Sequence, residues 1–166
     1  ACVFSLGMTP AYLLTWTCYG TWLPGDPRGS VDNEHNIVGT PMAMAAPRRV
    51  SANQAVMKNP PVVLNVAARN AVVVAIRDHC EIRGWSLLAL NVRSNHVHVV
   101  VRAPSHEPEI VMGQFKAWAS RRIRDAGLLG RQRVWTREGS TRRLFDHRAL
   151  DAAVRYVLEG QGPDLA

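Results

Sequence analysis

The order of hydrophobic and polar residues predicts three regions in the first half of the chain. Residues 11–19, AYLLTWTCY, are rich in β-branched and aromatic types, which favours a first strand. Residues 22–61 are punctuated by proline and glycine and predict a long loop or insertion, with one short helix near SANQAVMKN. From Val62 to about Arg83, apolar residues recur at steps of three, four and seven after two prolines, as in a helix. The apolar positions of that helix are Val62, Val66, Val73, Ile76 and Cys80.

Two strands and a second helix are predicted in the middle of the chain. The strands run from Trp85 to Val92 and from His96 to Arg102. Residues 93–95 form a link short enough to make them an antiparallel hairpin. A helix then opens at Pro108 and continues to about Asp125. Its expected apolar positions are Ile110, Phe115, Trp118, Ala119 and Ile123, and Gly127 and Gly130 end it.

The last third of the chain predicts one more strand and one more helix. An extended segment lies within residues 133–145, and Asp146 is a good N-cap for a helix that ends at Gly160. The complete order is strand, helix, strand, strand, helix, strand, helix. This order predicts an α+β fold with a ferredoxin-like antiparallel sheet, βαββαβ, and an appended C-terminal helix. A length of 166 residues suits one domain, which we expect to span residues 1–166.

Composition is typical of a soluble globular protein. Hydrophobic residues make up 47% and charged residues 20%, which argues against a disordered or fibrous chain. No apolar run reaches membrane-spanning length, and the first ten residues lack the basic region of a signal peptide. We therefore expect an intracellular, cytoplasmic protein. Cys2, Cys18 and Cys80 lack the CxxC spacing of zinc and redox sites, and they predict free, mostly buried thiols.

Positive charge is the feature of the composition that indicates a partner. Lysine and arginine number 20 against 13 acidic residues, giving a formal net charge of +7 and a pI of about 10.2. Eighteen of the 20 cations are arginine, whose guanidinium group makes forked contacts to phosphate oxygens. The balance favours a nucleic-acid partner, although a solvated basic surface would give the same composition.

Two histidines, His96 and His98, stand one residue apart in the valine-rich segment SNHVHVVV. Because successive side chains of a strand point to opposite faces, both imidazoles lie on one face. Such a pair is half of a metal site, and it would need a third oxygen or nitrogen ligand and open positions for a substrate. The alternative is that both are ordinary strand histidines satisfied by hydrogen bonds.

One tyrosine of the last helix is placed unlike a core residue. At about 100° per residue, Leu150, Val154 and Val157 form the expected buried stripe, and Tyr156 lies well away from it. Its phenol is therefore a candidate nucleophile. The alternative is a tyrosine at the rim of the helix that packs on a neighbour.

A basic segment lies between the second helix and the fourth strand. Residues 121–143 contain eight arginines but two acidic residues, with a tryptophan among them. Basic side chains beside an aromatic stacking surface are how proteins hold single strands, whereas the alternative for each arginine is a solvated helix face. The residues predicted to contact nucleic acid are Lys116, Arg121, Arg122, Arg131, Arg133, Trp135, Arg142 and Arg143.

Three blocks of the sequence together resemble one family. They are LTWTCYGTWLPGDPRG near the start, NVRSNHVHVVV in the middle, and VWTREGSTRRLFD followed by AVRYVLEGQG. The chain resembles the single-tyrosine HUH transposases of small bacterial insertion sequences, including the repeat-associated tyrosine transposases. HUH stands for His, hydrophobic residue, His, which here is His96-Val97-His98.

The resemblance implies an enzyme that cleaves and rejoins single-stranded DNA. Tyr156 would attack a backbone phosphate, giving a 5′-phosphotyrosine and a free 3′-hydroxyl, with Mg²⁺ or Mn²⁺ as the cofactor. It also implies a hairpin-containing single-stranded DNA as the partner, a homodimer, and action at the nucleoid in the bacterial cytoplasm.

The third metal ligand is where the sequence departs from the family. The family usually places Gln or Asn four residues after the tyrosine, but Gly160 stands there. The remaining candidates are Gln161 and Glu159, and Glu159 could instead form a surface ion-pair ladder with Asp151 and Arg155. The departure keeps two alternatives open: a domesticated or inactive relative that binds structured DNA without cleavage, and a structural zinc protein.

Overall fold

The computed structural model describes residues 9–20 and 59–160. The predicted loop at residues 22–61 therefore lies outside the described residues, apart from its last three. The described part has the predicted order of four strands and three helices. They are β1 (Ala11–Thr17), α1 (Val66–Arg83), β2 (Ser86–Val92), β3 (His96–Arg102), α2 (Pro108–Asp125), β4 (Ser140–Leu144) and α3 (His147–Glu159).

The four strands form one sheet in the order β2-β3-β1-β4, and each neighbouring pair is antiparallel. This is the strand order of a ferredoxin-like sheet, so the predicted fold is confirmed. The order puts β1 and β3 in the middle. That position explains why the valines of β3 are buried whichever face they occupy, with Val99 and Val100 both inaccessible to solvent.

The two faces of the sheet carry separate hydrophobic cores. On one face, α1 and α2 cover a core that includes Trp16, Val99 and Phe115, and we call this the α1/α2 face. On the other face, α3 covers a smaller core that includes Val100 and Val157, and we call this the α3 face. Side-chain alternation assigns His96 and His98 to the α3 face, because Val100 lies two residues further along the same strand.

The start of α1 differs from the prediction. The helix begins at Val66, and the side chain of Asn65 accepts a hydrogen bond from the Ala68 amide at 2.8 Å as its N-cap. Val62 and Leu64 are buried in the segment before the helix, where their amides donate to the carbonyls of Tyr19 and Ser94. This segment follows the two prolines, and the Asn65 cap supplies the true helix start. The predicted start at Val62 was therefore wrong.

The buried stripes of the helices are also rotated relative to those predicted. In α1, Val66 is 63% exposed, whereas His79 is buried. In α2, Ile110 and Trp118 are exposed, and the residues facing the sheet are Val111, Phe115, Ala119 and Ile123. Each helix has more apolar side chains than it can bury. The spacing of apolar residues therefore does not determine which of two adjacent stripes faces the sheet.

The last helix follows the prediction at both ends. Asp146 accepts a hydrogen bond from the Ala149 amide at 2.7 Å, and the helix ends at Glu159 with Gly160 as its C-cap. Only two residues separate it from β4, so the cap fixes where α3 starts over the α3 face.

Cys18 and Cys80 are free and buried, as predicted, and Cys2 lies outside the described residues. Burial raises the pKa of the Cys18 thiol to about 12 and that of the Cys80 thiol to about 11. Both thiols are therefore protonated and unreactive at neutral pH.

None of the helices in the described ranges is long and apolar enough to cross a membrane.

Candidate functional site

The two histidines of β3 lie side by side on the α3 face. Their ring centroids are 4.8 Å apart, His98 is buried, and His96 is partly exposed. In the sheet register, His98 stands opposite Thr15 of β1 and Asn91 of β2. The sequence pattern predicted the shared face, and the structure confirms it.

A hydrogen bond to Nδ1 orients each imidazole. The Thr15 hydroxyl lies 2.8 Å from Nδ1 of His98, and Oδ1 of Asn95 lies 2.6 Å from Nδ1 of His96. An amide oxygen only accepts, so His96 donates its Nδ1–H to Asn95. Such a bond fixes the tautomer and makes the opposite nitrogen, Nε2, the atom that would bind a metal.

Tyr156 lies against the histidine pair. Its ring centroid is 5.4 Å from that of His98, and its side chain is 48% exposed. The prediction that this phenol leaves the buried stripe is thus confirmed, while Ala153 and Val157 anchor α3 on the sheet. The structure brings His96, His98 and Tyr156 together within one chain.

Of the two candidates for the third metal ligand, one lies within the described residues and the other lies outside them. Glu159 is exposed in the last turn of α3, one turn from Tyr156, and Gln161 lies outside the described residues. Within residues 9–20 and 59–160, no group of three His, Cys, Asp or Glu side chains is placed to hold a metal ion.

Two of the predicted DNA-binding arginines lie on the far side of the sheet from this site. Arg121 and Arg122 belong to α2 and line a cavity of about 570 Å³ between α1 and α2. Arg122 pairs with Asp78 at 3.0 Å, and the Arg121 guanidinium lies 5.4 Å from the centroid of Trp118. The structure does not bring these two residues to the histidines.

Lys116, also predicted to contact DNA, is bound to its own chain. Its Nζ donates to the carbonyls of Thr136, Arg137 and Glu138 at 3.0 to 3.3 Å. Burial is the main cause that lowers the pKa of Lys116 to about 8; Arg133 lowers this pKa further, and Glu138 raises it. An ammonium group has three N–H donors, and all three are used by these carbonyls. Lys116 therefore holds the segment before β4 in place, and the prediction that it contacts phosphate was wrong.

Trp135, the predicted stacking surface, is buried. It is 5% exposed, packs edge-on against Trp16 at 6.0 Å, and donates its indole N–H to the carbonyl of Lys116 at 3.0 Å. A base could not stack on it without opening the core, so this prediction was wrong. The exposed tryptophan of this region is Trp118, which the helix pattern had assigned to the core.

The remaining predicted arginines differ in where they lie. Arg142 is exposed and stands opposite Leu13 in the sheet register, which puts it on the α3 face with the histidines. Arg143 points the other way, where it pairs with Glu107 and lies over the ring of Tyr12. Arg131 and Arg133 are exposed in the segment between α2 and β4.

Sequence reasoning missed two residues of the site, Thr15 and Asn91. Thr15 bonds to His98, and the Asn91 side chain donates to the Val157 carbonyl at 2.9 Å. Both come from strands other than β3, so finding them required the register of the sheet. The signal available in the sequence was a polar residue, Thr15 or Asn91, within an otherwise largely apolar strand.

Comparisons with known proteins agree with this fold. Residues 55–157 match the sequence model of a family described as "Transposase IS200 like". A solved structure of a candidate transposase from Deinococcus radiodurans R1 superposes with a TM-score of 0.51 at 17% identity, covering 91% of this chain and 89% of that one. A repeat-associated tyrosine transposase bound to a REP hairpin gives a TM-score of 0.46 at 12% identity, and the match covers 90% of this chain and 64% of that one. No curated protein sequence matched.

Paired histidines on a central strand, with a tyrosine helix lying over them, agree with a DNA-processing transposase, which is the class that the family match shows. The family match covers more than half of the chain. The chain belongs to the IS200-like transposase family.

Proposed function

We propose that this transposase cleaves and rejoins single-stranded DNA through a covalent bond between DNA and Tyr156. The observation that carries the proposal is the position of the Tyr156 ring, 5.4 Å from the His98 ring and partly open to solvent. A phenol on a helix surface can meet a phosphate there without disturbing the core.

The proposed reaction is a transesterification. The Tyr156 phenol loses its proton to solvent, and its oxygen forms a bond to phosphorus while the bond from phosphorus to the 3′ oxygen breaks. The leaving oxygen takes up a proton and becomes a 3′-hydroxyl, and the 5′ phosphate stays on the tyrosine. Attack by a 3′-hydroxyl reverses these steps. One phosphodiester is exchanged for another, so rejoining needs no nucleotide cofactor.

The imidazole nitrogens of the histidine pair are suitable ligands for a divalent metal ion. Two neutral imidazoles oriented through Nδ1 are good nitrogen ligands, and we propose that Gln161 or Glu159 completes the set. When bound, Mg²⁺ or Mn²⁺ would polarise the scissile phosphate and neutralise charge in the transition state. His96 and His98 would hold the ion, and Tyr156 is the proposed nucleophile.

The substrate class follows from family membership and charge. Transposases act on DNA, and the net charge of +7 suits a polyanion. We propose that the strand lies on the α3 face, where Arg142 is exposed beside the histidine strands. A hairpin in the DNA, a homodimeric assembly and a place of action at the nucleoid in the bacterial cytoplasm are further parts of this proposal, carried over from the resemblance.

The test uses a hairpin-containing oligonucleotide labelled at its 3′ end. A 5′-phosphotyrosine retains the downstream fragment, so the wild type should give a labelled protein band on a denaturing gel in Mn²⁺ or Mg²⁺. Tyr156→Phe should abolish the band because the attacking oxygen is gone. Tyr19→Phe is the matched control, since Tyr19 packs beside the core on the α1/α2 face and should leave the band unchanged.

Three outcomes would each overturn a part of the proposal. An undiminished adduct in Tyr156→Phe would exclude this nucleophile, and an adduct formed equally well in EDTA or in His96→Ala would exclude the metal. Tight binding of the hairpin with no adduct in either metal would identify a DNA-binding relative without cleavage.

A further inference from the structure

The side chain of Asn91 joins the sheet to the helix that carries Tyr156. Its Nδ2 donates a hydrogen bond of 2.9 Å to the main-chain carbonyl of Val157, the residue directly after the tyrosine. Asn91 lies on β2, which is far from α3 in sequence, and the bond therefore ties two distant parts of the chain.

The same asparagine is a cross-strand neighbour of a histidine of the site. In the register of β2 and β3, Asn91 stands opposite His98, so both side chains lie on the α3 face. One residue thus lies beside the candidate metal ligand and holds the backbone next to the candidate nucleophile. This bond links the two halves of the site.

The bond also supplies a donor to a carbonyl group at the end of the helix. The last four carbonyls of an α-helix lack a donor within the helix, and α3 ends at Glu159. The amide of Gly160 donates to the carbonyl of Tyr156 at 3.0 Å, and Asn91 supplies a donor for the next carbonyl, that of Val157. The sheet therefore caps the turn of α3 that carries Tyr156.

Packing holds this turn through the Val157 side chain and through the contact between the Tyr156 and His98 rings. The buried residues of α3 are Ala153 and Val157, two small side chains, whereas Tyr156 and Leu158 are 48% and 58% exposed. Helix ends fray more easily than helix interiors, and Val157 is the buried residue of this last turn. A directional hydrogen bond at Val157 limits that fraying where it would move the phenol.

We propose that Asn91 is a positioning residue that sets the distance between Tyr156 and the histidine pair. This inference rests on the proposed function, in which Tyr156 is the nucleophile. Asn91 touches neither DNA nor metal in this role and acts through the backbone of α3. Its loss should slow the attack on phosphorus without weakening DNA binding, since displacement of a reacting group by about 1 Å costs roughly 100-fold in rate.

The test compares Asn91→Asp and Asn91→Ala with the wild type. Asn91→Asp keeps the shape but replaces the donor with an oxygen that faces the Val157 carbonyl, and Asn91→Ala removes the group without adding charge. Asn70→Asp is the matched control, because Asn70 is exposed on α1. The measurements are single-turnover adduct formation at saturating hairpin DNA, DNA affinity, and backbone hydrogen exchange by mass spectrometry.

For both Asn91 variants we expect adduct formation slowed roughly 10- to 100-fold, with unchanged DNA affinity. Exchange should become faster in peptides covering residues 153–160 and stay unchanged in α1, and the control should behave as the wild type. Wild-type adduct rates in both variants would overturn the proposal. So would faster exchange throughout the chain, which would indicate general destabilisation.

A wild type that forms no adduct would overturn the proposed function and, with it, the effect of Asn91 on the reaction. The exchange measurement would still report separately whether Asn91 holds the end of α3, so the two failures can be told apart.

Discussion

The smallest features of the site are hydrogen bonds at the Nδ1 atom of each histidine, which leave Nε2 as the nitrogen that could bind a metal. Thr15 and Asn95 each contact an Nδ1 atom, one from a neighbouring strand and the other from the adjacent turn. Neither contact adds much to the free energy of unfolding, because a typical hydrogen bond contributes about 1 kcal/mol. Their importance is in orientation, since a histidine in the wrong tautomer presents a proton where the metal bond should form.

Thr15→Val should therefore weaken metal binding more than it weakens the fold. Valine keeps the branched shape in β1 but lacks the hydroxyl that contacts His98, and we expect Mn²⁺ affinity to fall roughly tenfold or more. Titration calorimetry on the DNA-free protein would measure it. Thr141→Val is the matched control, because Thr141 also lies in the sheet but its hydroxyl bonds to Glu109 at 2.9 Å. Equal Mn²⁺ affinities in the two variants would show that Thr15 does not orient His98.

At the scale of elements, local signals predicted more than long-range ones. The period of two in His96 to Arg102, the cap at Asp146 and the proline at Pro108 act within a few residues, and each element they predicted is present. Thr15 and Asn91 were missed because their contacts depend on pairing between strands distant in sequence.

The two tryptophans of the basic region show the same limit. The rotation of α2 about its axis exposes Trp118, and Trp135 is buried against the core by a bridge between its segment and Cys18. Neither outcome is set by neighbours in sequence. Packing between elements decides which apolar side chain is covered when more are present than a helix can bury.

The connection between α2 and β4 gives a prediction about pH. Lys116 has a pKa of about 8 in the folded chain against 10.5 for an ordinary lysine, so between these values the unfolded chain binds more protons. The free energy of unfolding should therefore rise with pH from about 8 to 10.5, relative to Lys116→Met, and show no such trend below pH 8. Urea denaturation of both proteins across this range would measure the difference.

The difference in free energy of unfolding between the wild type and Lys116→Met does not contain the contribution of the buried thiols, because both proteins have them. The raised pKa values of Cys18 and Cys80 make the folded chain retain protons, so they lower stability above about pH 9 in both proteins alike. Lys116→Arg, which stays charged throughout, should differ from the wild type with the same trend as Lys116→Met. A difference that is constant from pH 7.5 to 10.5 would contradict the low pKa of Lys116.

For the whole molecule, the sheet separates two surfaces with different charge environments. On the α1/α2 face, the guanidinium groups of Arg122 and Arg143 are paired with Asp78 and Glu107. On the α3 face, Arg142 is exposed on the same side as His98 and Tyr156. An arginine already paired with a carboxylate gains less from a phosphate, because the existing ion pair must be broken first. The position of these residues in the fold, more than their number, should therefore decide where DNA binds.

Arg142→Gln should weaken binding of a single-stranded hairpin oligonucleotide, whereas Arg143→Gln should change it little. Removing one cation that neutralises a phosphate of a single strand lowers the slope of log affinity against log salt by about 0.7, so the slope identifies an electrostatic loss. Affinity would be measured between 50 and 300 mM salt in the Tyr156→Phe background, which prevents cleavage from altering the ligand. Equal losses in the two variants would indicate that DNA contacts both faces of the sheet. A loss confined to Arg143→Gln would move the strand to the α1/α2 face and separate it from the tyrosine.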